Sequence, residues 1–169
     1  SVFGWGDPEA SSLLARYRLE NLGDRQRKVT LYLAVRPFQV NPPSQNLNLA
    51  GGTARIERIE KSGLNITVDG RVAVLLQTAP DGFGATSFFG GGIVQEYLRR
   101  DKLPTAARVE DSFGAAAAAA SYRYDLAPGE SRGVDIILPL HDHVPTAVDP
   151  DVIAYAVTER WRARLNKVT

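Results

Sequence analysis

The chain has 169 residues, the length of one domain, and its 44% hydrophobic and 23% charged residues are typical of a globular protein. The formal net charge of +1 argues against a dedicated nucleic-acid-binding protein, which usually carries a strong basic patch or stripe. The absence of cysteine excludes disulfides, thiolate metal sites and cysteine nucleophiles, and it leaves the cellular compartment open.

The sequence contains no apolar run long enough for a membrane helix and no segment with the features of a secretory leader. It also lacks methionine at every position, including the first. The chain is therefore expected to be either processed or a piece of a longer protein, and we favour the piece.

Alternating apolar and polar residues predict two strands near the start of the chain, from Leu13 to Glu20 and from Val29 to Val35. The residues between them include Asn21, Gly23 and Asp24, which favour turns. Two such runs joined by a short polar turn are typical of an antiparallel hairpin, so we expect these strands to pair with each other.

Short strands are predicted in quick succession after the glycine pair at residues 51 and 52. Their sequences are "ARIERIE", "LNITV" and "RVAVLLQT", separated by Ser62-Gly63 and Asp69-Gly70. Asp-Gly between two such runs is a strong hairpin signal. "FGATSFF" is interpreted as a further strand, and "IVQEYLRRDKL" as a short helix that ends before Pro104.

Six alanines, Ala115 to Ala120, have the highest helix propensity of any residue type. However, Gly114 precedes them, and "SYRYDL" continues the run with strand-like alternation. We predict a strand here, because tertiary packing routinely overrides propensity. "APGE" is interpreted as a hairpin turn before the next strand, "RGVDIILPL".

The last segment is predicted to be an amphipathic helix that begins with Asp149 as cap and Pro150 in the first position. Its apolar face is outlined by Val152, Tyr155 and Leu165, among others. The fold class predicted is all-β, a mainly antiparallel β-sandwich with a short internal helix and a C-terminal helix. The predicted boundaries are 1–148 for the sandwich domain and 149–169 for a C-terminal linker helix.

Three segments resemble a known family. "YRLENLGDRQRKVTLYLAVRPFQVNPP" is similar to a hairpin of the β-supersandwich (galactose-mutarotase-like) domains that precede helical (α/α)-barrels in carbohydrate-active enzymes. "IVQEYLRRDKLPTAARVEDSFGAAAAAASYRYDLAPGES" resembles the helix, small-residue strand and turn found later in such domains, and "VTERWRARLNKV" resembles the helix that leads into the barrel.

The resemblance implies that this chain is the later part of a supersandwich, since such domains are larger than this chain. It also implies that the catalytic carboxylates lie on a helical barrel that is absent from this sequence, so no catalytic residue is assigned here. The parent protein would then be a glycoside hydrolase or phosphorylase, and this chain alone is not expected to be an enzyme.

The segment "VRPFQVNPPSQNLN" offers candidate contact residues: Arg36, Phe38, Gln39, Asn41 and Gln45. Arginine and amide side chains hydrogen-bond sugar hydroxyls, and an aromatic ring stacks on a pyranose. Two other interpretations stay open, namely docking against a neighbouring domain and a purely local role in which Pro37 ends the strand.

Trp161 and the "HDH" tripeptide are the remaining candidates. Trp161 is either an exposed anchor for a neighbouring domain or a residue that packs back onto the sandwich. His141 and His143 are weak metal candidates, because a zinc site needs three or four ligands and the sequence has only two histidines. We expect no metal and no cofactor.

The leading functional hypothesis is a non-catalytic β-sandwich module of a larger carbohydrate-active protein, which positions a catalytic domain or contributes to its substrate cleft. The alternatives are a free-standing carbohydrate-binding module and, third, a mutarotase-like enzyme. The partners expected are a neighbouring domain and a carbohydrate, but neither nucleic acid nor membrane. A partial supersandwich would leave sheet edges uncovered, which favours a homo-oligomer.

Overall fold

The structure is a computed structural model that describes residues 1–41, 52–142, 144–145 and 149–167, with side chains described for all of these except 38–41 and 52–53. The fold class predicted from the sequence is confirmed: the chain forms mainly antiparallel strands in sheets, with a short internal helical segment and a C-terminal helix. The strands are β1 (Val2–Trp5), β2 (Ser12–Glu20), β3 (Arg27–Val35), β4 (Phe38–Asn41), β5 (Gly52–Ala54), β6 (Arg58–Ser62), β7 (Asn65–Val68), β8 (Arg71–Leu76), β9 (Gly82–Thr86), β10 (Arg108–Glu110), β11 (Ala117–Leu126) and β12 (Ser131–Pro139). The helices are α1 (Phe88–Gly91), α2 (Val94–Leu98) and α3 (Pro150–Leu165).

The contacts divide the chain into two compact units. The first unit comprises Ser1–Arg27, Val72–Ala79 and Leu126–Thr169, and the second comprises Lys28–Arg71 and Pro80–Asp125. The boundary predicted at residue 148 is a different division of the chain, and it stays a prediction.

The first unit is an antiparallel sheet in the order β1-β2-β12-β8 with α3 packed on it. Leu14 of β2 and Ile137 of β12 are register partners, and both side chains are buried in one apolar cluster with α3. Phe3, Trp5 and Leu75 pack against this cluster at its border. The sheet therefore buries one apolar face beneath the C-terminal helix.

The second unit contains the strands β3-β11-β9 in one sheet and β7-β6-β10 in another, and β9 contacts both β6 and β10. This layered arrangement of antiparallel strands is the sandwich expected from the sequence. The pair β4 and β5 forms a separate two-stranded ribbon.

The alanine run lies in the second unit, and the prediction that it forms a strand is confirmed for Ala117 to Ala120, where β11 begins. Its small side chains are buried, and Ala117 and Ala119 pack against Val94 of α2. In the paired strand β9, Gly84 is the register partner of Ala119 and lies so close to residue 104 that a Cβ atom would stand 1.8 Å from the Pro104 carbonyl oxygen. The small alanines fit beneath α2, and glycine is required at residue 84 because neighbouring backbone approaches closely; this packing outweighs the helix propensity of alanine.

Two predicted hairpins are wrong. β2 pairs with β1 and β12, whereas β3 pairs with β11, so the strands on either side of Asn21 are not partners. Likewise β11 pairs with β3 and β9, whereas β12 pairs with β2 and β8. Turn residues show only that the chain changes direction, and the partner of each strand is chosen by side-chain packing.

The sequence also misplaced some smaller features. β1 and β10 are short strands that were not predicted, and the strand expected to continue to Phe89 ends at Thr86, before the helical turn α1. Two of the short strands predicted in quick succession are confirmed as the antiparallel pair β6 and β7 around Gly63, which has a φ of +57°. No helix within the described part of the chain is both long and apolar enough to cross a membrane.

Candidate docking surface on the C-terminal helix

The start of α3 is held in place by an N-cap and by a shared arginine. The carboxylate of Asp149 accepts the backbone N–H of Asp151 at 2.8 Å, and Pro150 occupies the first turn, as predicted. Arg16 of β2 donates to Asp151 at 2.6 Å and to Asp135 of β12 at 2.9 Å. The Asp151 hydrogen bond is the main reason that the pKa of Arg16 is raised, with Asp135 contributing further against the lowering effect of burial.

The inner face of α3 is short and apolar. Ile153 and Val157 are buried against Leu14 and Ile137 of the sheet. This corrects the apolar face predicted from the sequence, because Val152, Tyr155 and Leu165 are largely exposed instead. The helix thus carries more large apolar side chains than its own sheet covers.

Large exposed apolar side chains lie on α3 and on the neighbouring edge strand β1. Trp161 is 57% exposed and Tyr155 is 70% exposed, while Val2 of β1 and Leu165 are also largely exposed. A groove of about 320 Å³ runs between the helix and β1, with Phe3, Trp161 and Leu165 among its walls. We call Val2, Tyr155, Trp161 and Leu165 the α3 surface.

The border of the α3 surface is basic. Arg160, Arg162, Arg164 and Lys167 lie in the last turns of the helix or just after it. Arg162 pairs with Glu159 at 2.6 Å, and the guanidinium of Arg164 lies 5.9 Å from the centre of the Trp161 ring. Cations at the C-terminal end of a helix are stabilised by its dipole, and here Arg164 also lies beside an exposed tryptophan.

Trp161 is the sequence-predicted candidate that the structure places on this surface. It lines the groove, yet more than half of it stays accessible to a partner. Its assignment as an interdomain contact stays a prediction. The sequence analysis missed Val2 and Phe3, although the β-branched and aromatic residues of "VFGW" favour a strand and could have pointed to them.

The other candidates lie in the second unit or outside the described residues. Arg36 is exposed just after β3, which ends before Pro37 as expected of a residue without an amide hydrogen. Phe38, Gln39 and Asn41 belong to β4, which pairs irregularly with β5, but their side chains are not described. Gln45 lies outside the described residues together with the Pro-Pro segment.

The histidines provide no metal centre within the described ranges. His141 hydrogen-bonds to the hydroxyl of Ser11 at 3.1 Å, and His143 lies outside the described residues. Among the residues that are described, no three histidine, aspartate or glutamate side chains are grouped closely enough to hold an ion.

Comparison of the chain with protein-family models, with curated proteins and with solved structures found no match in any of the three.

Proposed function

We propose that this chain is a non-catalytic β-sandwich module of a larger carbohydrate-active protein, and that the α3 surface is where a neighbouring domain docks. The observation that carries the docking role is the exposed apolar face of α3 on a helix whose opposite face is firmly anchored. The carbohydrate-active part of the proposal rests on the resemblance of the three sequence segments described above.

The composition of the α3 surface is that of a protein interface. Tryptophan, tyrosine and arginine are the residues that most often contribute large shares of binding energy. Fully burying a large apolar side chain contributes about 1.5–3 kcal/mol, so Trp161 and Tyr155 together could support a stable contact. The bonds from Arg16 to Asp135 and Asp151 position the helix in advance, which lowers the cost of binding.

The charge around the α3 surface indicates what the docked domain should present. Three arginines and one lysine follow Tyr155 in the helix and its end, against the single acid Glu159. A partner with an apolar centre and an acidic border would be complementary, and like charges would exclude basic surfaces.

The docking role is tested by hydroxyl-radical footprinting of this chain alone and of the longer protein from the parent gene. We expect the reactivity of Trp161 and Tyr155 to fall several-fold in the longer protein. Tyr17 of β2 is the control, because it is also exposed but is not part of the α3 surface. Equal reactivity of Trp161 in the two proteins would overturn the docking role.

The carbohydrate-active role is tested separately by assaying the longer protein for hydrolysis and phosphorolysis of a panel of polysaccharides. We expect activity on at least one of them, and we expect Trp161→Ala combined with Tyr155→Ala to reduce it by misplacing the catalytic domain. Activity on none of the polysaccharides would contradict this part of the proposal.

A further inference from the structure

Three phenylalanine rings form an exposed cluster on the second unit. Phe88 and Phe89 belong to α1, and Phe113 lies in the loop that leads to the alanine strand. The ring centres are 5.0 Å apart for Phe88 and Phe89, 5.4 Å for Phe88 and Phe113, and 5.9 Å for Phe89 and Phe113. All three side chains are substantially exposed, and Phe89 is 82% exposed. A contiguous patch of exposed apolar side chains usually marks a binding site.

A buried carboxylate holds the cluster together. Asp111 is only 6% exposed. One oxygen of its carboxylate accepts the backbone N–H of Phe88 at 2.6 Å, and the other accepts the backbone N–H of Phe113 at 2.9 Å. Two separate segments are therefore tied to one side chain, so the rings are positioned before any ligand binds.

A polar cleft of about 490 Å³ adjoins the cluster through Asp111. It is lined by Glu57, Arg58, Asp69, Glu110, Asp111 and Ser112. Asp69 accepts the backbone N–H groups of Glu57 at 2.9 Å and Arg58 at 2.7 Å, and Glu110 pairs with Arg108 at 2.6 Å. The hydrogen bond from Arg108 is the largest cause of the lowered pKa of Glu110, so this carboxylate stays ionised at neutral pH.

Some groups in this cleft retain unused hydrogen-bonding capacity. The guanidinium of Arg58 is among the groups that line the cleft and can donate hydrogen bonds. Glu57 and Ser112 are exposed and can accept or donate hydrogen bonds. The site thus combines aromatic rings with both hydrogen-bond donors and acceptors.

We propose that the phenylalanine cluster and its cleft bind a neutral sugar chain. Phe89 stands out of the surface, so it offers a flat face to a ligand rather than a pocket for a single side chain. The apolar C–H face of a pyranose ring fits such a face, while sugar hydroxyls both donate to carboxylates and accept from Arg58. The choice of carbohydrate as the ligand class rests on the proposed function.

The charge of the cleft decides which sugars bind. Four carboxylates, Glu57, Asp69, Glu110 and Asp111, line it, whereas the cations beside them are Arg58 in the lining and Arg108, which pairs with Glu110. Uronic acids and sulfated sugars would be repelled by this excess of negative charge, whereas the affinity for neutral sugars would not be weakened by it. The site lies apart in sequence from the Arg36 to Gln45 segment that the sequence analysis singled out.

The test is affinity gel electrophoresis of the chain in gels that contain soluble starch, xylan, mixed-linkage β-glucan or galactomannan, with alginate and polygalacturonate as acidic counterparts. We expect at least one neutral polymer to retard the chain and neither acidic polymer to do so. Phe89→Ala should weaken the retardation at least tenfold, and it should fold normally because the side chain is exposed. Leu22→Ala is the matched control, since it removes an apolar side chain of similar exposure (87%) from the first unit, outside both proposed surfaces, and should bind as the parent does.

Several results would overturn this proposal. They are no retardation by any neutral polymer, equal retardation by alginate, and binding that survives Phe89→Ala. Capture of peptides from a random display library that is lost in Phe89→Ala, without any sugar binding, would identify the cluster as a protein-docking site instead. Footprinting of Trp161 is independent of all these outcomes, so the two proposals can fail separately.

Discussion

Among the polar residues of the first unit, Asn21 is one whose substitution is expected to lower the free energy of unfolding most. It is buried directly after β2. Its side-chain amide donates to the carbonyl oxygens of Arg25 at 2.7 Å and of Leu126 at 2.9 Å, and its side-chain oxygen accepts the N–H of Gly23 at 3.0 Å. Its backbone exchanges two further hydrogen bonds with the turn at residues 129 and 130. One side chain therefore shapes its own loop and ties that loop to a turn more than 100 residues away.

Asn21→Ala removes all three side-chain hydrogen bonds and keeps the two backbone bonds. Each net hydrogen bond contributes about 1 kcal/mol, and the Leu126 carbonyl is left without this donor in a buried position, so we expect a loss of about 3 kcal/mol. For a chain of this size the melting temperature should fall by roughly 6–12 °C. Leu22→Ala is the control, because Leu22 is 87% exposed and should change stability by less than about 0.5 kcal/mol.

Urea denaturation followed by tryptophan fluorescence measures this effect directly. Both tryptophans, Trp5 and Trp161, lie in the first unit, so the signal reports the unit that contains Asn21. The midpoint should decrease while the slope stays unchanged. A loss below about 1 kcal/mol, or one equal to that of Leu22→Ala, would refute the reasoning that Asn21 ties the two loops together.

Three further outcomes are expected. Gly84→Ala should lower stability by about 3 kcal/mol or more, because its methyl group would clash with the Pro104 carbonyl, and a normal urea midpoint would contradict the close packing at that point. Ile153→Ala should cost about 2–4 kcal/mol in urea denaturation, whereas Val152→Ala on the exposed side of α3 should be neutral or slightly stabilising; equal losses would contradict the assignment of the buried face. Burial is the main cause that raises the pKa of Tyr122 to about 12, so the free energy of unfolding should keep its full value from this residue below pH 10 and decrease as the pH rises from 10 to 12. Tyr122→Phe should lessen that decrease. An unchanged pH dependence of stability in Tyr122→Phe would show that this residue is not its source.

Local chemistry explains the predictions that succeeded. The alternation in β2 and β3, the glycine at the β6–β7 turn and the Asp149 cap each depend on residues that are neighbours in sequence. A period of two places side chains on alternate faces of a strand whatever the fold around it. A cap satisfies free N–H groups within its own helix. Such features can be recognised without any knowledge of tertiary contacts.

The sequence alone predicted less of the candidate sites than of the secondary structure. Trp161 could be singled out as an exposed anchor or a packed residue, but the contribution of β1 to its groove could not be foreseen. Phe89 and Phe113 are distant in sequence and meet because the Asp111 carboxylate accepts hydrogen bonds on both sides. No local pattern contains that information.

The sequence by itself determined where most of the longer strands and the C-terminal helix lie, where the chain turns between them, and that the chain forms a mainly antiparallel β fold. Only the tertiary structure decided which strands pair, which face of α3 is buried and which exposed aromatics come together. The physical reason is that the hydrophobic effect depends on the apolar area buried and not on which side chains meet. Many different strand pairings therefore satisfy the same pattern of alternating residues. Close packing selects one of them: Ala117 and Ala119 fit beneath α2, and Ile153 rather than Val152 meets the sheet.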